Sequence, residues 1–226
     1  MIPLLAQAAN PIVRWEYFID EWDQIRRALV EHLELTVYAV ALGLIVSAGL
    51  AAIALRYRWM VTPINGFTAF LYTIPSVALF GILVPYFGLS RLSAVLPLAA
   101  YTLLILVTNI VAGFNSVSPE VREAADGMGM TPARRVFQVE LPLAMPYIIA
   151  GLRIAVVSTV GLVTVAAIIG QGGLGRLILD GLRRTFWTPM TIGSSLSILL
   201  ALALDGLILL GGRWLTPWAQ RGRGVL

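Results

Sequence analysis

Apolar residues fill long, nearly unbroken runs of this chain, and the charged residues gather in the gaps between them. A helix needs about 20 apolar residues to cross the hydrocarbon core of a bilayer. Five runs are long enough: residues 33–55, about 64–88, about 92–114, 147–169 and 189–211. Lipid offers the backbone no hydrogen-bond partners, so each run is expected to be a helix. Pro75 and Pro85 interrupt the second run, and Pro97 stands near the start of the third. Kinks are expected there, with freed carbonyls re-satisfied by neighbours or by a polar pathway. The pattern predicts an all-α integral membrane protein with five transmembrane helices.

Ahead of the first run, Trp22, Ile25, Leu29 and Leu33 recur at helical spacing, while Asp23, Gln24, Arg26, Arg27 and Glu31 take the other faces. That is an amphipathic helix. It fits a helix lying at the membrane interface and turning into the first span; a helix packed on a protein partner has the same pattern. The expected organisation is a tail and interfacial helix over residues 1–32, a transmembrane domain over 33–212 with a polar loop at about 115–146, and a basic tail over 213–226.

Composition narrows the chemistry. Of 226 residues, 58% are hydrophobic and 12% charged, and the mean hydropathy is +0.86. A soluble domain of this size needs more polar surface, and the length allows one membrane domain. Cysteine is absent, which excludes disulfides and thiolate metal sites. Every one of the 16 basic residues is arginine; without lysine the chain cannot hold phosphates in a Walker-type P-loop. The single histidine, His32, makes no metal cluster alone, and at the foot of the first span it reads as an interfacial residue. A net charge of +4 comes from arginines scattered at the ends of spans, where they meet anionic headgroups, rather than from a nucleic-acid-binding stripe. The short apolar run at residues 2–6 lacks a basic segment before it and does not read as a signal peptide.

One stretch breaks the apolar pattern: EAADGMGMTPARRVFQVELP, residues 123–142. Ser118 is an expected N-cap with Pro119 at the first helical position and Glu120 at the positive end of the helix dipole. Val121, Ala124, Ala125 and Met128 form a narrow apolar face at i, i+3, i+4 and i+7. Gly127 and Gly129 end this helix; Thr131-Pro132 starts a second, expected to run to about Glu140, before Leu141-Pro142. The result is a helix-turn-helix outside the bilayer, with small residues that allow another protein to approach closely.

Here the sequence resembles the permeases of binding-protein-dependent ABC importers. Those carry, in a cytoplasmic loop before the penultimate span, EAA, three residues, G, nine residues, I, one residue, LP. Glu123-Ala124-Ala125, Gly129 and Leu141-Pro142 match at that spacing, with Val139 in place of Ile. The resemblance implies that Glu123, Ala124, Ala125, Gly127, Gly129, Val139, Leu141 and Pro142 form the coupling element that seats in a cleft of an ATPase subunit. It implies that ATP and Mg bind to that partner and that this chain carries no cofactor and no catalytic residue. Two ATP-binding subunits, a second permease copy or paralogue and an extracytoplasmic solute-binding protein complete the implied assembly. The loop is then cytoplasmic, with the N-terminus outside and the C-terminus inside. Arginines alone argue this weakly: with that orientation nine fall inside and seven outside. In such importers ATP binding closes the ATPases and switches the spans from inward-open to outward-open.

TIPSVALFGILVPYFGL (73–89), EAADGMGM (123–130) and AAIIGQGGLGRLI (166–178) are similar to permeases of compatible-solute systems, which import quaternary ammonium solutes such as glycine betaine, choline and carnitine. Methionine-type permeases share the five-span plan and a Gly-Gly-Leu-Gly stretch, so an amino acid is the alternative substrate. Candidate pathway residues are Tyr72, whose ring suits a quaternary ammonium, Thr73 and Ser76 beside Pro75, and Asn109, Thr159 and Thr164 inside spans. Serine and threonine in spans also bond their own helix backbone. The glycine-rich stretch at 170–175 is expected as a turn or gate at the outer end.

Two ionisable residues lie inside runs. Arg153 is about 10 Å deep in the fourth span and Asp205 roughly 9 Å deep in the fifth, on the same side, by helical rise. Equal depth and opposite charge predict a pair; Arg153 snorkelling to the interface is the other reading. An ion-driven carrier usually needs several buried acids, and only Asp205 is plainly inside a run. A membrane-embedded enzyme has almost no acid, base or nucleophile to work with here.

Overall fold

The structure, a computed structural model, describes residues 13–218. The region read above as lacking a signal peptide and the end of the basic tail lie outside the described residues. Among the described residues the α-helices are α1 (Trp15–Asp20), α2 (Trp22–Arg56), α3 (Val61–Thr73), α4 (Ser76–Phe87), α5 (Arg91–Asn115), α6 (Pro119–Gly127), α7 (Pro132–Arg135), α8 (Leu141–Val165), α9 (Leu174–Arg183) and α10 (Trp187–Leu215). The fold of the described residues is all-helical, as the sequence pattern predicts.

Among the described residues four helices are long and apolar enough to cross a membrane: Trp22–Arg56, Arg91–Asn115, Pro132–Ile169 and Trp187–Leu215. The second expected span differs. It is two helical pieces, Arg58–Thr73 and Ser76–Phe87, bent by 92°. Pro75 supplies no N–H to continue the ladder and disfavours helical geometry at Ile74. It stands at the N-cap position of α4 with ψ 132°, so the chain restarts there in a new direction. Pro85 and Pro97 remain inside α4 and α5 without a break.

The expected boundary at residue 32 falls inside α2. That helix has 35 residues and a length of about 52 Å, so the amphipathic segment and the first span are one rod. Neither glycine nor proline occurs between Trp22 and Leu42 to break it. His32 therefore lies in the interior of a helix, not at its foot. Its ring is fully buried, and Nε2–H donates to the Val160 carbonyl at 3.0 Å. The boundary at 212 likewise falls inside α10.

The chain divides into two compact units, one of Met1–Ala41, Ile74–Ala99 and Val157–Ala203, the other of Leu42–Thr73, Ala100–Val156 and Leu204–Leu226. In the first, Ile25 and Ala28 of α2, Leu174 and Leu177 of α9 and Ile192 of α10 form a buried cluster flanked by Tyr17, Phe18 and Leu29. The glycine-rich stretch before α9 is pressed into this cluster. Gly173 has φ +50°, and a Cβ there would land on the Ala28 carbonyl and the His32 backbone nitrogen. Only glycine fits both the conformation and the space.

In the second unit the cluster is Ala51, Ala54, Ile64, Val107, Ile110 and Val111. Lipid tails are as apolar as leucine, so helices in a bilayer associate through close packing, and small residues permit it. A Cβ on Gly151 of α8 would stand 2.5 Å from the Asn109 Cβ of α5, and one on Gly113 would stand 2.8 Å from the Ala144 carbonyl.

Candidate functional site

The polar stretch between α5 and α8 is built from local signals, with two departures. Ser118 occupies the N-cap position of α6 and Pro119 the first helical position, but the Ser118 side chain bonds no helix amide. Its hydroxyl instead donates to the Glu120 carboxylate, holding that carboxyl below the usual range. At the other end Gly129 takes φ +75°. Gly129 N–H donates to the Asp126 carbonyl and Met130 N–H to the Ala125 carbonyl, at 2.9 and 3.2 Å, a glycine-based stop. Thr131 caps α7, with Oγ1 accepting from the Arg134 amide at 3.4 Å.

The second departure concerns the end of the loop. Rather than stopping at Glu140, the chain passes from α7 through a π turn, Val136–Glu140, directly into α8. Residues Pro132–Ile169 form one helical run of 38 residues. A π turn shifts the hydrogen-bond register by one residue, and here it precedes Pro142, which lacks a donor. Val139, Leu141 and Pro142 are consequently half-buried parts of a continuous helix, not a linker.

The faces of α6 are the central observation. Helical residues advance about 100° each, which puts Arg122 and Asp126 on one side and Val121, Ala124 and Met128 on another. On the charged side Arg122 is half-buried and Asp126 exposed, and both pair with charges of the chain, while Glu120 and Glu123 are exposed. Arg122 donates through Nη2 to the Phe114 carbonyl at 2.6 Å, and its Nε stands 3.5 Å from Glu140 Oε2. Arg135 donates to both Asp126 oxygens, at 2.6 and 2.5 Å, and through Nε to Glu140 Oε1 at 2.8 Å. Glu140 is only 7% exposed.

The apolar side is turned out. Val121 is 37% exposed, Met128 69% and nearby Phe137 69%; Glu123 and Ala124 are exposed beside them. Ala125 departs from the expected face. It is 1% exposed, because it lies at the edge nearest Arg122 and follows that residue inward. A Cβ at Gly127 or Gly129 would meet nothing within this chain. Gly129 is required by its φ; Gly127 keeps the outer surface flat. Sequence reasoning missed Arg122, Asp126, Arg135 and Glu140. The available signal was the i, i+4 spacing of Arg122 and Asp126, together with a carboxylate immediately before an apolar span.

The structure brings Arg153 and Asp205 together. Guanidinium Nε donates to Oδ1 and Nη2 to Oδ2, both at 2.7 Å, the two-pronged geometry that strengthens arginine–carboxylate pairs. The candidate pathway residues are not gathered in one unit. Tyr72, Thr73 and Asn109 belong to the unit containing α6, and Pro75, Ser76, Thr159 and Thr164 to the other. Several spend their polar atoms on their own helices: Thr73 on the Phe70 carbonyl, Asn109 on that of Ile105 and Thr164 on that of Gly161. Thr159 is buried. Tyr72 is exposed and meets Tyr101 edge to face, with ring centroids 5.8 Å apart.

Residues 39–216 match the family described as binding-protein-dependent transport system inner membrane component. The osmoprotectant import permease protein OsmW of Salmonella typhimurium is 38% identical over 197 residues, covering 85% of this chain and 92% of that protein. The glycine betaine/carnitine/choline transport system permease protein OpuCB of Bacillus subtilis is 32% identical, covering 85% and 88%. A crystal structure of the inward-facing MetNI methionine ABC transporter superposes with a TM-score of 0.71 at 19% identity, covering 88% of this chain and 97% of that one; at that identity the likeness is one of fold. An all-helical fold, apolar rods of membrane-spanning length, and a match across most of the sequence converge: the chain belongs to the family of inner membrane components of binding-protein-dependent transport systems.

Proposed function

We propose that this chain is the permease of an ATP-driven importer and that α6 is the element by which a separate ATPase subunit, carrying ATP and Mg, drives it. One observation carries this reading: Arg122 and Asp126 of α6 pair with charges of their own chain, while Val121, Ala124 and Met128 beside them stay exposed and unpaired with it. An apolar face left open on a helix otherwise fixed in place is what a docking protein requires. The loop is cytoplasmic, the N-terminus outside and the C-terminus inside. Two permease copies, or this chain with a paralogue, enclose the pathway, and a solute-binding protein delivers the solute. ATP binding draws the docked helices together and rocks the spans between inward-open and outward-open states.

The solute is a quaternary ammonium osmoprotectant such as glycine betaine, choline or carnitine. Supporting this are the names of the relatives that match most of the chain at 32–38% identity. The likeness to amino acid transporters of solved structure, at 19–20% identity, is one of fold and favours no substrate. Tyr72 is the candidate for contact with a cationic headgroup; Thr73, Pro75, Ser76, Asn109, Thr159 and Thr164 are the other candidates along the route.

The test is reconstitution of the permease with its ATPase and solute-binding protein in proteoliposomes, with radiolabelled glycine betaine, choline, carnitine and methionine. ATP-dependent accumulation of one or more quaternary ammonium solutes is expected. Uptake driven by an ion gradient without the ATPase would overturn the reading. Orientation is tested in intact cells, because a cysteine introduced at Met128 is the only thiol in the chain. It is expected to resist a membrane-impermeant maleimide until the membrane is permeabilised.

A further inference from the structure

We propose that Glu140 is a positioning residue that locks the docking helix α6 to the two helices flanking it, so that a displacement of α6 reaches α5 and α8 without slack. This rests on the reading of α6 as the ATPase-docking helix.

The geometry is a closed set of four charges summing to zero. Glu140, in the π turn at the base of α8, receives Arg135 at 2.8 Å and stands 3.5 Å from Arg122. Arg135 reaches back to Asp126 near the end of α6. Arg122 also bonds the Phe114 carbonyl in the last turn of α5, at 2.6 Å. One carboxylate thus ties the end of one long helix, the docking helix and the start of the next.

Besides this tie, α6 has one buried apolar residue of its own, Ala125. It has nine residues, too few for a helix to be stable alone. Short segments, 116–118 and 128–131, connect it to its neighbours, and the second contains Gly129. The rest of its apolar face does not anchor it, since Val121 and Met128 face outward. These ion pairs and Ala125 are therefore what attaches it. A carboxylate this enclosed demands that its partners stay, because losing one strands a buried charge. The continuous run from Pro132 to Ile169 then carries the motion along α8 with no loop between.

The test uses the full chain with spin labels on cysteines replacing the exposed residues Glu120 and Ile154, together with uptake and ATP hydrolysis by the assembled transporter. In Glu140→Gln, which keeps the shape and removes the charge, the label-to-label distance distribution is expected to broaden in the permease alone. Assembly with the ATPase and its hydrolysis rate should persist, while solute moved per ATP falls roughly two- to thirtyfold. Distances that stay narrow would overturn the proposal. So would broadened distances with an unchanged ratio of solute to ATP, since the tie would then be structural only. If Glu140→Gln does not accumulate, Asp126→Asn, at an exposed position, carries the same test with an expected loss of about twofold. Failure of the docking reading is distinguishable: Met128→Asp would then leave ATPase association unchanged, whereas the broadening in Glu140→Gln needs no ATPase.

Discussion

Two short amphipathic helices of this chain, α6 and α9, solve opposite problems. In α9 the apolar residues Leu174 and Leu177 are buried and Arg176 and Arg183 are exposed. That is the usual partition, and the chain completes the helix by itself. In α6 the partition differs: Arg122 and the exposed Asp126 pair with the chain's own charges, Ala125 is buried, and Val121 and Met128 are left at the surface. Both helices are amphipathic by spacing. Only one is finished within this polypeptide; the other is the helix on which the proposed function places a partner.

The largest test of this contrast places a carboxylate on each apolar face. Leu177→Asp buries an unpaired charge in α9, at a cost of about 3–5 kcal/mol, and is expected to abolish accumulation of monodisperse protein in detergent. Met128→Asp should change stability by no more than about 0.5 kcal/mol, yet lower co-purification with the ATPase at least tenfold, about 1.4 kcal/mol or more. If both variants misfold alike, the outward face of α6 is not open and the contrast fails.

A smaller effect separates glycines required by packing from a glycine that the proposed docking assigns to a partner. Gly173→Ala combines a strained φ with a clash against α2 and should destabilise by about 1–3 kcal/mol, read as a lowered Tm. Gly127→Ala meets nothing in the chain and should raise helix stability by about 0.5–1 kcal/mol. Solute transport that nevertheless declines in this variant locates the need for glycine at the docking surface.

The smallest effect concerns the start of α6. Ser118→Ala removes the hydroxyl that holds the Glu120 carboxyl down, so its titration, followed by carbon-13 NMR of labelled glutamate, should move up towards the ordinary carboxylate value. Because the folded-state pKa is depressed, this interaction favours the helix at neutral pH and is lost as pH falls through the carboxyl's own pKa. α9, whose first turn contains no acidic residue, should show no corresponding dependence at its start.

Much of the molecule was legible locally. Apolar runs of membrane-spanning length, the Thr131-Pro132 helix start and the Gly129 stop depend on residues a few positions apart, and hydrogen bonding in lipid leaves the backbone little choice but helix. The family spacing around Glu123 to Pro142 is likewise read along the chain. Equal depth in neighbouring spans was enough to raise Arg153 and Asp205 as a pair, although they are 52 residues apart.

What the sequence determined by itself is therefore the inventory of helices, their caps and the segment that interrupts them. The tertiary structure alone decided which face of each helix is used. The wheel of α6 displays a charged side and an apolar side equally well. Nothing local says that Glu140, 18 positions beyond Arg122, will stand close enough to claim the charged one. The same holds for the 92° turn at Pro75 and for His32, buried against Val160 across 128 residues. Periodicity follows from the geometry of one helix, whereas the direction it faces depends on partners that folding brings from elsewhere in the chain.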